Sequence, residues 1–374
     1  MTKTVLIVGA TGVVGDGAMG AFAAQGDRVL ALSRRKPEPV SGDVTHLPLD
    51  LLDAEAVAQA AAEFAPVTHV VYAALFEKPG LLAGWLEQDQ MRTNLSMLQN
   101  LLEPLLAAAP HLQHISLLQG TKAYGAHVHA IANPARESSP RDPHDNFYWL
   151  QEDYLKTRLA TTDGRVSHTV VRPQIVFGSA TKSAMNVIPV LGAYGALLKA
   201  AGEPLHFPGG DAPLGRETVQ EAVDADLLGR VFCWAAGADA ARNQVFNVTN
   251  GDVYVWRNLW PTIAQALGMA VGEDRPLSLA AWLPAQAQRW RALQRSLDLV
   301  SIEMSELLGE SHYYADALLG VNAQQPAPSS LVSTIKLRQA GFAECVDTEK
   351  MFARLFAKLQ QRRILPPASW DGRL

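Results

Sequence analysis

The sequence predicts an α/β fold: a doubly wound parallel sheet with a smaller, mostly helical C-terminal lobe. Three observations carry that expectation. Val5-Leu6-Ile7-Val8 is an unbroken apolar run, as suits a strand buried on both faces of a parallel sheet. Gly9-Ala10-Thr11-Gly12-Val13-Val14-Gly15 follows at once and opens an Ala- and Gly-rich helical stretch. Further strand-like runs then alternate with helical patterns as far as Val171, the order of successive βαβ units. In the glycine run the first Gly suits a tight turn, the second admits a pyrophosphate and the third lets helix pack against strand. With the positive end of a helix behind it, this pattern predicts a Rossmann-type dinucleotide site made by Gly9, Thr11, Gly12, Val13, Val14 and Gly15.

A chain of 374 residues has room for a nucleotide-binding core and a substrate lobe. The expected division is 1–175 for the core and 176–374 for a lobe assembled from discontinuous segments, with a strand near 244–248 returning to the main sheet. Hydrophobic content of 48% and charged content of 18% describe a soluble globular protein. A net charge of −5 gives no electrostatic ground for nucleic-acid binding, and no apolar stretch is long enough to span a bilayer. Cys233 and Cys345 lie in apolar, helix-like surroundings, which predicts buried thiols in a reducing compartment. The chain enters its first strand by residue 5, leaving no room for a signal peptide, so a cytoplasmic location is expected. A homodimer is compatible with the sequence, which leaves the oligomeric state open.

The remaining elements follow in order. A helix from Asp16 to Gln25 ends at Gly26, and Arg28–Leu32 is the second strand. Val44–Leu49 is the third strand, and Asp50-Leu51-Leu52-Asp53 precedes a helix from Ala54 to Phe64. Thr68–Ala74 is the fourth strand, Leu82–Ala109 a long leucine-rich helix containing Asn94, and Leu112–Leu118 the fifth strand. A Pro-, Asp- and Ser-rich loop leads to a helix opening near Asn146, and Ser167–Val171 is the sixth strand. Beyond it come helices over Ala184–Ala201 and Gln220–Ala236, a strand over Gln244–Val248, and a Trp- and Leu-rich helical region from Pro276. Ala323–Ser330 reads as a Pro/Ser-rich connector.

Ser33-Arg34-Arg35-Lys36 follows the second strand, with no carboxylate from Arg28 to Lys36. An acidic residue there would hold the ribose 2′-hydroxyl of NAD, whereas arginine accommodates the 2′-phosphate of NADP, for which its planar fork of donors is suited. NADP(H) is therefore the expected cofactor. The glycine spacing resembles that of the short-chain dehydrogenase/reductase superfamily, and the resemblance implies that Asp50 and Leu51 touch the adenine, though Asp50 equally suits a helix cap. His127-x-His129 lacks the further ligands of a metal site, so no metal is expected.

Most reductases of that superfamily carry Tyr-x-x-x-Lys on one helix. Here Glu152 stands four residues after Tyr148, and Arg158 four after Tyr154. Asn146-Phe147-Tyr148-Trp149-Leu150-Gln151-Glu152-Asp153 instead resembles the NFYYxxED motif of the progesterone 5β-reductase/iridoid synthase-like enone reductases. Gly120-Thr121-Lys122-Ala123-Tyr124-Gly125 resembles their GxKHYxG motif. Arg34-Arg35, Arg172 to Gly178, Pro204 to Gly209 and Phe246 to Asp252 extend the likeness over nearly the whole chain. Ala123 replaces the family's usual His, and Ala73-Ala74-Leu75 replaces the Thr-Trp pair of plant members.

The resemblance implies NADPH-dependent reduction of a C=C bond conjugated to a carbonyl in a small-molecule enone. Tyr148 and Lys122 would be catalytic, the lysine after the fifth strand replacing the missing helix lysine and favouring the ionised form of the Tyr148 hydroxyl. Ala73, Lys122, Tyr148 and Val176 would lie beside the cofactor with Ser33, Arg34 and Arg35. Phe147, Phe177, Met185, Tyr313 and Phe342 are candidates for the substrate pocket. Two other readings stay open: a sugar-nucleotide epimerase/dehydratase or carbonyl reductase, and a redox sensor that binds NADP without turnover.

Overall fold

A computed structural model describes residues 2–210, 213–321, 323 and 328–373; part of the 323–330 connector thus lies outside the described residues. The first half runs β1 (Thr4–Val8), α1 (Val13–Ala24), β2 (Arg28–Leu32), β3 (Val44–Leu47), α2 (Ala54–Gln59), β4 (His69–Tyr72), α3 (Gln88–Ala108), β5 (His114–Leu118), α4 (Phe147–Ala160) and β6 (Ser167–Pro173). It continues through β7 (Ile175–Phe177), α5 (Val187–Ala200), α6 (Pro213–Arg216), β8 (Ala222–Asp224), α7 (Ala225–Ala235) and β9 (Gln244–Val248). The last third is helical: α8 (Trp256–Ala266), α9 (Leu279–Ala285), α10 (Ala287–Ser296), α11 (Met304–Leu308), α12 (Ser311–Leu318), α13 (Ile335–Gln339) and α14 (Thr348–Gln361).

Among the described residues, seven strands form one parallel sheet in the order β3-β2-β1-β4-β5-β6-β9. β1 lies between β2 and β4, with Val5 opposite Val29 on one side and His69 on the other. Its side chains alternate between two cores, as a pleated strand requires. Val5 and Ile7 pack with Phe22, Leu227 and Phe246 on one face. Leu6 and Val8 pack with Phe64, Leu98 and Leu155 on the other. The strand order reverses direction at β1/β4, and such a crevice beyond the carboxyl ends is where open sheets bind ligands.

The lobe has its own core, in which α5, α8 and α14 bury Trp256, Trp260 and Phe352. The main sheet also recruits elements from beyond residue 175. β9 pairs with β6, and α7 crosses α1 at a contact made by two glycines. A Cβ on Gly17 would lie 2.2 Å from the Ala225 carbonyl oxygen, and one on Gly229 2.3 Å from that of Gly17.

Three local expectations are corrected. The helix expected over Gln220–Ala236 begins only at Ala225. Gln220 exchanges backbone hydrogen bonds with Tyr254, Ala222 pairs with Ile175, and the Asp224 carboxylate caps the first turn of α7. The long helix expected from Leu82 is broken at Glu87, whose backbone is extended, so that α3 starts at Gln88. Cys233 is buried in α7, but Cys345 is exposed in a loop. Among the described residues, no helix is long and apolar enough to cross a membrane.

The α1–α7 contact admits no side chain, and overpacking of this kind costs about 1–3 kcal/mol. Gly229→Ala should therefore lower the midpoint of urea unfolding. An unchanged midpoint would show that the two helices separate freely.

Candidate active site

A groove of about 320 Å³ runs over the carboxyl ends of β1, β2 and β4. Gly9 takes φ +87°, and a Cβ there would meet the Ala74 backbone at 2.9 Å, so only glycine fits this turn. Gly12 caps α1 without placing a side chain over its first turn, which leaves the amides at that end open to an anion. A Cβ on Gly15 would fall 2.2 Å from the Gly9 carbonyl oxygen, so this glycine lets helix and strand close on each other. Thr11, Val13 and Val14 line the groove.

At the end of β2, the Ser33 hydroxyl donates to the Arg35 carbonyl at 2.7 Å and fixes the turn. Arg34 is exposed at the rim, and Arg35 donates to the Lys182 carbonyl at 3.1 Å, tying the rim to the lobe. Asp53, not Asp50, caps α2, by accepting the Ala56 N–H at 2.9 Å. Asp50 accepts the Leu52 N–H at 3.1 Å, and both Asp50 and Leu51 line the groove, as does Ala73. This glycine-walled cradle below a basic rim fits a dinucleotide.

A second cavity, of about 370 Å³, shares Val13, Val14, Leu75, Leu118, Tyr148 and Met185 with the groove. Tyr148 therefore stands at the junction. Its phenol reaches toward β5: a Cβ on Gly120 would lie 3.3 Å from its Oη. Lys122 lies in a single turn, Thr121–Tyr124, directly after β5. One side chain joins the two motifs. Asn146 accepts the Tyr148 N–H through Oδ1 at 3.0 Å and donates through Nδ2 to the Lys122 carbonyl at 2.9 Å.

The surroundings of Lys122 were not foreseen. Its ammonium lies 3.9 Å from the Trp85 ring centroid and 3.7 Å from Oε1 of Glu77, a carboxylate 4% exposed. The other Glu77 oxygen accepts from the Gln90 side chain at 2.7 Å. Asn94 clamps the same segment, accepting the Phe76 N–H at 2.9 Å and donating to the Phe76 carbonyl at 3.0 Å. Asn94 thus fixes the backbone next to Glu77. Among the described residues, neither Lys122 Nζ nor Glu77 Oε1 has a hydrogen-bond partner, which leaves a buried donor and acceptor for a ligand.

Electrostatics correct the expected effect of Lys122 on Tyr148. Burial pushes the Tyr148 hydroxyl well above its ordinary value, and the Glu77 carboxylate and Tyr314 push it further; Arg172 opposes them. Burial also lowers the Lys122 ammonium, and Glu77 opposes that shift. Lys122 is paired with Glu77, and burial above all keeps Tyr148 protonated. Glu152, in the position of the missing helix lysine, faces elsewhere. It accepts from Gln119 at 2.8 Å and from Lys156 at 2.6 Å, and stands 3.5 Å from Arg172.

Phe147 and Met185 line the groove, Met185 lines both cavities, and Val176 lines the second. Phe177 does not: it is fully buried in the lobe core against Phe352. Phe342 packs in the sheet core beside Trp234. Tyr313 lies in a different surface depression, and its neighbour Tyr314 lines the second cavity. Helical phase explains the last exchange, since adjacent residues on α12 point about 100° apart.

Residues 5–194 match the NAD dependent epimerase/dehydratase family. The chain is 28% identical to a 3-oxo-Delta(4,5)-steroid 5-beta-reductase of Arabidopsis thaliana, covering 96% of this chain and 92% of that protein. It is 27% identical to an (S)-8-oxocitronellyl enol synthase of Antirrhinum majus, with the same coverage. Among solved structures, a UDP-glucose 4-epimerase from Bifidobacterium longum in complex with NAD+ and UDP has the same fold. Its TM-score is 0.65 at 15% identity, over 96% of this chain and 98% of that one. A Bordetella bronchiseptica enzyme in complex with NAD+ gives a TM-score of 0.63 at 16% identity, over 96% and 99% of the two chains. The chain belongs to the NAD dependent epimerase/dehydratase family, and within it resembles steroid 5β-reductase and the 8-oxocitronellyl enol synthases over almost its whole length.

Proposed function

We propose that this protein is an NADPH-dependent reductase of the C=C bond of α,β-unsaturated carbonyl compounds. The observation that carries the reading is Tyr148, a buried phenol held in its protonated form where the two cavities meet. The named activities of the two plant relatives support it. Arg34 and Arg35 at the rim of the groove suit the 2′-phosphate of NADP.

NADPH, when bound, supplies a hydride to the β-carbon of the enone. Negative charge then develops on the carbonyl oxygen, and a hydrogen-bond donor aimed at that oxygen stabilises the transition state more than the ground state. Tyr148 is that donor, and a protonated hydroxyl is the form the task requires. Asn146 sets its position relative to Lys122. Lys122 keeps a positive charge beside the developing anion and offers its free N–H bonds to a ligand oxygen, while Glu77 offsets the cost of burying it. The enolate collects its α-proton from water.

Incubation with NADPH and cyclohexenone should give cyclohexanone, with NADPH consumed much faster than NADH. An allylic alcohol as product, or NADPH binding without turnover of any enone, would contradict the reading. Tyr148→Phe should lower kcat about a hundredfold, the scale of one lost oxyanion donor, with NADPH affinity retained. Unchanged turnover would remove Tyr148 from the reaction.

Glu77→Gln should move the alkaline limb of the kcat/KM profile to lower pH. Without the carboxylate, the buried Lys122 loses its proton at lower pH, and Tyr148 loses one of the groups that raise its pKa. Both changes deplete the active protonation state from the alkaline side. A limb at the native position would show that Glu77 does not act through either group.

A further inference from the structure

Glu221 is a second buried carboxylate on the deeper cavity, and the reaction described above makes no use of it. It is 8% exposed and precedes β8, whose first residue, Ala222, pairs with Ile175. One of its oxygens accepts the Val332 N–H at 2.8 Å. Among the described residues, no donor meets the other oxygen and no cation pairs with the carboxylate. Glu221 lines the same cavity as Tyr148 and Lys122.

The polar neighbours that could have satisfied it are engaged elsewhere. Gln220 accepts from the Tyr254 hydroxyl at 2.9 Å and donates to the Leu318 carbonyl at 3.2 Å. Gln174 donates to the Ser330 carbonyl. The wall around them is largely apolar, with Ile175, Val219, Ala317 and Leu318. Burial pushes the Glu221 carboxyl up to about 7, with only the Val332 amide opposing. Among the described residues, the second Glu221 oxygen is thus left to whatever occupies the cavity, and a hydrogen-bond donor brought there would offset part of the cost of burying the carboxylate.

We propose that Glu221 is a specificity determinant that accepts a hydrogen bond from a hydroxyl group on the substrate, remote from the conjugated carbonyl held by Tyr148. The substrate class is thereby a hydroxylated enone with an otherwise apolar body. The partner is a neutral hydroxyl because the Lys122 ammonium already places a positive charge on this cavity, which disfavours a second cation. The inference rests on the enone reading for its chemistry, but the recognition site can be tested separately.

Cyclohexenones bearing a hydroxymethyl or hydroxyethyl arm are compared with their methyl and ethyl counterparts. At alkaline pH, where the Glu221 carboxyl is ionised, the native enzyme should favour the hydroxyl compound of the better-fitting arm at least about tenfold in kcat/KM, the range of one hydrogen bond to a charged group. Glu221→Leu should bring that ratio to about one, and Glu221→Gln should keep part of it. Calorimetric binding of the corresponding saturated ketones in the presence of NADP+ reads the same ratio without turnover, and thermal melts verify that both variants fold. A ratio near one for both arms in the native protein, or one that survives Glu221→Leu, would overturn the inference. A binding preference that depends on Glu221 without reduction of any enone would sustain it and overturn only the enone reading.

Discussion

A lysine ammonium buried on the same cavity as Tyr148 must be compensated or it loses its proton, and the candidate active site is arranged around that requirement. The Lys122 ammonium nitrogen is buried. It is held by the Glu77 carboxylate at 3.7 Å and the face of Trp85 at 3.9 Å. A buried ion pair is stable only when its remaining polar atoms are also satisfied. α3 does this for one oxygen of Glu77. Gln90 donates to the carboxylate and accepts the Lys78 N–H, while Asn94 clamps the intervening Phe76. Four residues on the β4–α3 side thus hold or support the ammonium of a lysine that follows β5.

That arrangement divides the labour between two neighbouring groups. An ammonium directed at the phenol would have pulled Tyr148 toward tyrosinate, which cannot donate a hydrogen bond. Burial dominates here, with the Glu77 carboxylate adding to it, and the phenol remains a donor. Asn146 then links the two groups through the backbone, from the amide of Tyr148 to the carbonyl of Lys122. Glu152, in the position of the helix lysine, belongs to a Gln119–Arg172 network.

What the sequence displayed was set by local constraints. The turn at Gly9 tolerates no side chain, and β1 is buried on both faces, so glycine spacing and apolar runs announced the sheet and the groove. Asn146 and Tyr148 belong to one contiguous motif with a capping signature, and their placement at a helix start was equally readable. Glu77 and Trp85 were not. Glu77 lies in irregular backbone and Trp85 in a short 3-10 turn, Ala83–Leu86, between β4 and α3, and only the tertiary fold brings them to Lys122. Glu221 was hidden for a related reason: its helix-like surroundings pair as a short strand with β7. Phe177 and Phe342 show the converse error, since an aromatic residue near a site motif packs into a core as readily as into a pocket.

The most direct measurement follows the transferred hydrogen. Cyclohexenone is reduced with NADPH deuterated at the transferable position, and the product is read by NMR. Deuterium on the carbon β to the carbonyl of cyclohexanone is the predicted result. Deuterium on the carbinol carbon of an allylic alcohol would contradict a site built to stabilise an enolate.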